Sequence, residues 1–227
     1  MKILGIENVS FVDYPNKICA TVFTGGCNFK CPYCHNSGIV KNEYPLLDEN
    51  EILENLEKRK KLIDAVTVSG GEPTLQKDLV EFIQKVKNMG FLIKLDTNGT
   101  NPKVLKELLD KNLLNYVAMD IKTNFDNYSV ITKSCVKIEN IKESLNLLRK
   151  SNISYELRTT LISGYHTTEA ILALSQDLKG EKTLYLQKFK DSETCFESGL
   201  KEVEKLTALE FKNILLNTIQ NVELRGY

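Results

Sequence analysis

Cys27, Cys31 and Cys34 stand within one run of eight residues, Cys27-Asn28-Phe29-Lys30-Cys31-Pro32-Tyr33-Cys34. Thiolates spaced by three and then two residues can all turn inward on one metal centre from a single loop. Three thiolates fill three of the four irons of a 4Fe–4S cube and leave one iron open, where a substrate can be ligated. His35 follows directly and offers a second chemistry, a structural zinc site with the same three cysteines. Adjacent Cys34 and His35 would crowd one tetrahedron, and no second ligand pair lies nearby in the chain. The plainest alternative is three free thiols on a loop. Cys19, Cys135 and Cys195 stand alone, and isolated thiols are expected to be buried or inert rather than ligands of a second cluster.

Further polar motifs follow at intervals. Ser69-Gly70-Gly71-Glu72-Pro73-Thr74 places two glycines, which let backbone approach a ligand closely, before a carboxylate suited to an ammonium. Taken alone, the same run is also an ordinary turn. Leu95-Asp96-Thr97-Asn98-Gly99 and Ala118-Met119-Asp120-Ile121-Lys122 each end an apolar stretch on an aspartate. A bare carboxylate is costly to bury, so Asp96 and Asp120 are expected to cap turns, to be neutralised by Lys122, or to hold a ligand in one polar mouth. Glu156, Arg158 and Thr160 fall on one face of a strand, as an ion pair or as contacts to a ligand.

Such motifs need elements to hold them. Residues 3–9 and 18–24 read as short strands around the turn Asp13-Tyr14-Pro15-Asn16. Asp48, with Glu51 three residues on, marks a helix start. Strands are then expected at 65–69, 91–95, 116–121, 154–162 and 183–187. Helices are expected at 76–89, from Pro102, and at 138–150, 167–178 and 201–219. Residues 123–136 show no period and read as a loop, either a plain surface loop or one that orders when a partner docks. Strand–helix alternation implies a parallel sheet with helices outside. Six strands in the repeating part are too few for an eight-unit barrel and point to an open partial barrel. In either architecture ligands gather at the carboxyl ends of the strands, where the polar motifs fall.

With 227 residues, 42% of them hydrophobic, the chain suffices for one large domain or a domain with an appendage. Thirty basic and thirty acidic residues cancel, which gives no electrostatic case for nucleic acid or an anionic membrane. No apolar run approaches the ~18 residues of a membrane span. The start, Met1 to Glu7, lacks a signal-peptide core, so a cytoplasmic location with reduced thiols is expected.

Seven runs together resemble one known family. They are Asp13-Tyr14-Pro15, Thr24-Gly25-Gly26-Cys27-Asn28-Phe29, Cys34-His35-Asn36, Ser69-Gly70-Gly71-Glu72-Pro73-Thr74, Asp96-Thr97-Asn98-Gly99, Met119-Asp120-Ile121-Lys122 and Arg158-Thr159-Thr160. The chain is similar over residues 11–187 to the activating proteins of glycyl radical enzymes, within the radical S-adenosylmethionine (SAM) superfamily. The nearest branch is that of the anaerobic ribonucleoside-triphosphate reductase activating proteins. The resemblance implies an α/β fold, a partial (β/α)6 barrel over residues 1–190, with 191–227 as a C-terminal helical extension packed on it. It implies a 4Fe–4S cluster on Cys27, Cys31 and Cys34, and SAM bound through its methionine amine and carboxylate. Reductive cleavage of SAM would then remove hydrogen from a backbone glycine of a partner, anaerobic ribonucleotide reductase. Tyr33 would lie near the adenine, and Gly70, Gly71 and Glu72 would hold the methionine end. Asp96, Asn98, Asp120, Lys122 and Arg158 would position ribose and carboxylate, with Asp96 and Asp120 also holding a monovalent cation. The electron donor would be of the flavodoxin or ferredoxin type.

Two departures stand out. Pyruvate formate-lyase activating enzymes, which the chain also resembles, carry a histidine where this chain reads Leu186-Gln187-Lys188-Phe189, and no ferredoxin-like insert follows the cysteine loop. The closing Leu224-Arg225-Gly226-Tyr227 is similar to a glycyl loop but reads as a frayed end. The rival within the superfamily is an enzyme acting on a small molecule, of the 7-carboxy-7-deazaguanine synthase type. The rival outside it is a zinc-stabilised or electron-transfer module that does not cleave SAM.

Overall fold

A computed structural model describes residues 1–227. In chain order the elements are β1 (Ile3–Ser10), β2 (Cys19–Thr24), α1 (Ser37–Lys41), α2 (Glu49–Arg59), β3 (Ala65–Gly70), α3 (Leu79–Asn88), β4 (Leu92–Thr97), α4 (Pro102–Asp110) and β5 (Tyr116–Asp120). There follow α5 (Tyr128–Thr132), α6 (Ile138–Lys150), β6 (Ser154–Leu161), α7 (Thr168–Asp177), β7 (Thr183–Lys188), α8 (Lys205–Leu215) and β8 (Asn221–Arg225). The strands follow one another in the sheet in chain order. β1 is antiparallel to β2, whereas β2, β3 and β4 run parallel, as do β6, β7 and β8.

The inner strands are apolar along their length and turn polar where they end. In β3, Ala65 to Val68 are buried and Ser69-Gly70 are half-exposed; β5 ends likewise on Asp120. Strands covered by helices on crossover connections take this continuous apolar form, and their exits are where polar side chains escape burial. Helices begin and end largely where their signals stand. The Asp48 carboxylate accepts from the amides of Asn50 (2.8 Å) and Glu51 (3.2 Å) at the start of α2. α3 buries Leu79, Phe82, Ile83 and Val86 and stops before Gly90, whose φ is +95°. Asn101 does not cap α4; its side-chain amide instead donates to the Thr74 carbonyl at 2.8 Å.

The chain forms two compact units. Residues 1–28, 38–118 and 139–155 make the first, and residues 29–37, 119–138 and 156–227 the second. The boundary expected at residue 190 falls inside the second unit. Residues 191–227 are also more than a helical extension, because β8 pairs in parallel with β7 from Thr183/Asn221 to Gln187/Arg225. The C-terminal run is therefore a sheet strand and not a frayed end.

The aperiodic loop expected at 123–136 is partly helical. It contains a 3-10 turn, Phe125–Asn127, and α5, with Tyr128, Ile131 and Thr132 buried. The Phe125 amide donates to Asp177 at 2.8 Å, and the Thr132 carbonyl accepts from Lys30 at 2.9 Å. These tertiary bonds hold a segment whose sequence has no helical period.

Candidate active site

In the first unit the entry to the cysteine loop lies against the exit of β3. Gly71 donates to the Thr24 carbonyl (2.9 Å), and Glu72 donates to the Gly26 carbonyl (2.8 Å). A Cβ on Gly71 would lie 1.8 Å from the Gly26 carbonyl oxygen, and one on Gly70, at φ +115°, would lie 2.4 Å from the Thr24 nitrogen. Both glycines are required because two backbones touch here, before any ligand is considered.

The Glu72 carboxylate points inward, and the residue is 1% exposed. Oε1 accepts from the Thr74 amide (3.1 Å), the Thr74 hydroxyl (2.5 Å) and the Thr97 hydroxyl (2.7 Å), and Oε2 accepts from the Asn98 amide (2.6 Å). Burial pushes its pKa up, and these hydrogen bonds offset only part of that shift. Glu72 thus ties the β3 exit to the β4 exit, and its side chain is not offered to an ammonium.

Asp96 forms an ion pair with buried Lys94 and accepts from the Ser69 hydroxyl at 3.1 Å. Asn98 is turned toward the cysteine loop. Its Nδ2 donates to Asn28 Oδ1 (2.9 Å) and lies 3.9 Å from the Cys27 sulfur. Helix α6 secures the same exit loop: the Ser144 hydroxyl donates to the Gly99 carbonyl (2.7 Å), and Asn140 donates to the Thr100 carbonyl (2.9 Å).

The second unit holds the rest of the cysteine loop. Cys31 is buried, Cys34 is half-buried, and neither is in a disulfide. The Cys34 amide donates to the Cys31 carbonyl at 3.0 Å, a turn that sends the chain back on itself between the two thiols. Burial pushes the Cys31 thiol up to about 11, with the Lys122 ammonium opposing the shift. Phe29 meets Tyr128 edge-on at 6.2 Å, and Tyr33 meets Phe189 edge-on at 6.5 Å. The His35 ring stacks on Phe189 at 5.6 Å, and its Nε2 donates to the Lys190 carbonyl at 2.5 Å. That bond commits the Nε2 proton of His35 to the main chain. The Glu197 amide closes on the Pro32 carbonyl at 3.0 Å, so the segment after β7 clasps the loop.

Asp120 is the hub of the second unit. Arg158 Nε donates to its Oδ1 (2.8 Å) and Lys122 Nζ to its Oδ2 (2.9 Å). Burial alone would raise its pKa, but Arg158 and Lys122 outweigh burial and hold the carboxyl well below the usual range. Likewise, burial would lower the Lys122 ammonium, and Asp120 instead holds it well above its ordinary value. Lys122 is fixed along its backbone as well, since its amide donates to the Tyr128 hydroxyl (3.1 Å) and its carbonyl accepts from His166 Nε2 (3.0 Å). The Ile162 amide donates to His166 Nδ1 at 3.0 Å, which selects the neutral tautomer with the proton on Nε2. Glu156 pairs with Arg225 of β8, in a bidentate contact of 3.1 and 3.2 Å. The Arg225 guanidinium lies 3.8 Å over the Tyr185 ring. Tyr128 and His166 were not singled out in the sequence, and Arg225 was read only as part of a frayed end. His166 stands in an unremarkable local context, and Tyr128 sits in the aperiodic stretch.

The sequence profile of the radical SAM superfamily matches residues 21–174 of this chain. The chain belongs to the radical SAM superfamily. A protein of Methanocaldococcus jannaschii, named provisionally as a glycyl-radical enzyme activating enzyme, is 35% identical over 230 residues, covering 95% of each chain. A second protein of that organism, similarly named, is 35% identical over 160 residues, covering 68% of this chain and 59% of its own length. Among solved structures, a radical SAM methyltransferase from Sphaerobacter thermophilus matches with a TM-score of 0.72 at 16% identity, over 96% of this chain and 69% of that one. A domain of pyruvate-formate lyase-activating enzyme from Bacteroides vulgatus matches with a TM-score of 0.58 at 18% identity, over 71% of this chain and all but 1% of its own. At such identities the likeness shows the fold alone, and that is the α/β radical SAM fold that the resemblance implied.

Membership makes the chain a radical SAM enzyme and implies a 4Fe–4S cluster and SAM. The chemistry of the donors fits these groups: the cysteines of the loop carry thiols free of disulfides, the donor type that a 4Fe–4S cluster takes, and Lys122 and Arg158 both bond Asp120 in the unit that holds Cys31 and Cys34. The Tyr33 hydroxyl is buried without a hydrogen-bond partner, a position that a bound polar group would satisfy. An added monovalent cation, by contrast, would have to compete with Lys94 for Asp96 and with Lys122 and Arg158 for Asp120. No helix is long and apolar enough to cross a membrane.

Proposed function

We propose that this chain activates a glycyl radical enzyme by removing a hydrogen atom from a backbone glycine of its partner. The observation that carries the reading is the 35% identity over 95% of both chains to the Methanocaldococcus jannaschii protein so named. When bound, the cluster and SAM together supply a one-electron reductive cleavage that yields methionine and a carbon radical able to take hydrogen. The chain supplies ligands and orientation. Cys27, Cys31 and Cys34 hold the cluster. The Gly70-Gly71 backbone and Asp96 face the methionine end, with Glu72 holding that backbone in place. Lys122 and Arg158, aligned by Asp120, meet the SAM carboxylate and ribose, and the Tyr33 hydroxyl meets the adenosyl group. The proposed partner is the anaerobic ribonucleoside-triphosphate reductase, and the electron donor is of the flavodoxin or ferredoxin type. A reducing cytoplasm suits this chemistry and the thiols.

The test is anaerobic. The reduced protein, SAM and the candidate reductase are mixed, and the electron paramagnetic resonance spectrum is recorded. A glycyl doublet that disappears when the target glycine becomes alanine is the expected result. A doublet on another glycyl radical enzyme, and none on the reductase, would change the partner but not the reaction. Turnover of a small molecule with no doublet on any such enzyme would replace the proposal with the deazaguanine-synthase type of reaction.

A further inference from the structure

Asn98 is a buried carboxamide whose every polar atom is assigned. Its main-chain amide is fixed by Glu72 Oε2 at 2.6 Å. Its Oδ1 accepts from the Thr100 amide (3.0 Å) and the Thr100 hydroxyl (2.7 Å). The two hydrogens of Nδ2 then have defined directions: one goes to Asn28 Oδ1 at 2.9 Å, and the other faces the Cys27 sulfur at 3.9 Å. Asn28 Nδ2 closes the ring by donating to the Thr100 hydroxyl at 2.9 Å. The Cys27 sulfur also lies 4.0 Å from Asn28 Oδ1, a contact that lapses as a thiol donor when Cys27 loses its proton. Two oxygens of Thr100 and Asn28 thus settle which end of the Asn98 amide faces the sulfur, and it is the positive end.

We propose that Asn98 is the redox-positioning residue of the cluster, donating a hydrogen bond to the Cys27 thiolate, and that Glu72 and Thr100 serve to aim it. Reduction of the cluster adds negative charge that is shared with its sulfur ligands. A donor aimed at one of those sulfurs stabilises the reduced state more than the oxidised state and raises the potential. Through Glu72, the Gly-Gly-Glu-Pro run and the Asp-Thr-Asn-Gly run then act on the same thiolate. The inference rests on the cluster that the superfamily implies and not on the identity of any partner.

The experiment uses the reconstituted holoprotein without SAM or partner. The midpoint potential is read by electron paramagnetic resonance during a redox titration, and iron and sulfide are measured in each sample. Asn98→Ala is expected to keep its iron and to shift the reduction equilibrium about tenfold toward the oxidised state, which for one electron is about 59 mV. Asn98→Asp, which puts a carboxylate beside the thiolate, is expected to shift it further in the same direction. If Asn98→Ala does not retain iron, Thr100→Val removes the hydroxyl that donates to Asn98 Oδ1 and accepts from Asn28 Nδ2, which loosens the amide while its main-chain donor and Asn98 itself remain, and a smaller shift of the same sign is expected. A fully loaded Asn98→Ala protein at the wild-type potential overturns the proposal. So does an unshifted Thr100→Val protein where the alanine variant cannot be read. A wild-type chain that takes up no iron would fail the cofactor assignment and this inference with it. A loaded chain that activates no glycyl radical enzyme would fail only the proposed function.

Discussion

Glu72 and Asp120 stand at the exits of β3 and β5 and are stabilised in opposite ways. Glu72 is enclosed and surrounded by neutral donors, two amides and two hydroxyls. Asp120 is 28% exposed and is held by two cations, Lys122 and Arg158. For Glu72, burial outweighs the hydrogen bonds, and the pKa rises; for Asp120, the cations outweigh burial, and it falls. The contrast separates two tasks. Neutral donors around a carboxylate fix geometry without adding field. Two cations around a carboxylate fix its charge state as well as its geometry.

Breaking the charged group should have the larger effect. Asp120→Asn leaves Lys122 and Arg158 without their shared counter-ion. Losing one partner of a fully buried pair costs ~3–5 kcal/mol, and the 28% exposure of Asp120 reduces the expected loss to about 2–3 kcal/mol in urea unfolding of the cluster-free protein. Glu72→Gln preserves the shape and removes a charge that burial already disfavours. It should cost about 1 kcal/mol in the same measurement. If the two losses came out reversed, the contrast would be wrong.

Acid sharpens the comparison through opposite signs. The Asp120 contribution is present above its ordinary value of 3.8 and is lost as the pH falls below it, so the gap between wild type and Asp120→Asn should narrow there. The folded pKa of Glu72 lies above its ordinary 4.5, so the native state binds the proton first. The wild type should therefore gain on Glu72→Gln as the pH falls toward 4.5 from above. Urea midpoints of the three proteins across that range decide both signs.

The smallest effect concerns the monovalent cation. Asp96 is paired with Lys94, and Asp120 with Lys122 and Arg158, so exchanging sodium for potassium or a bulky organic cation is expected to leave the rate of SAM cleavage unchanged. A rate that required one of these ions would show that it displaces a lysine.

The sequence revealed most where the chemistry is local. Asp120 and Lys122 are two residues apart on one strand exit, and their pairing follows from that spacing. The direction of Glu72 was hidden because two of its partners, Thr97 and Asn98, lie 25 and 26 positions away on another exit. Helix α5 was hidden because Tyr-Ser-Val-Ile-Thr has β-branched residues and little more than one turn, which tertiary bonds must stabilise. In β8 only Val222 is buried, so the alternation that marks a half-buried strand is too weak to separate it from the end of α8.

The contact between Gly71 and the Gly26 carbonyl has a genetic consequence. Most steric clashes in a protein can be relieved by a compensating change, because a neighbouring side chain can be trimmed. Here the obstacle is a main-chain oxygen, 1.8 Å from where a Cβ would stand, and no substitution at position 26 removes it. A screen for revertants of Gly71→Ala should therefore return only the glycine codon at position 71 and no second-site suppressors. The seating of the cysteine loop on β3 is a constraint that the rest of the sequence has no means to repair.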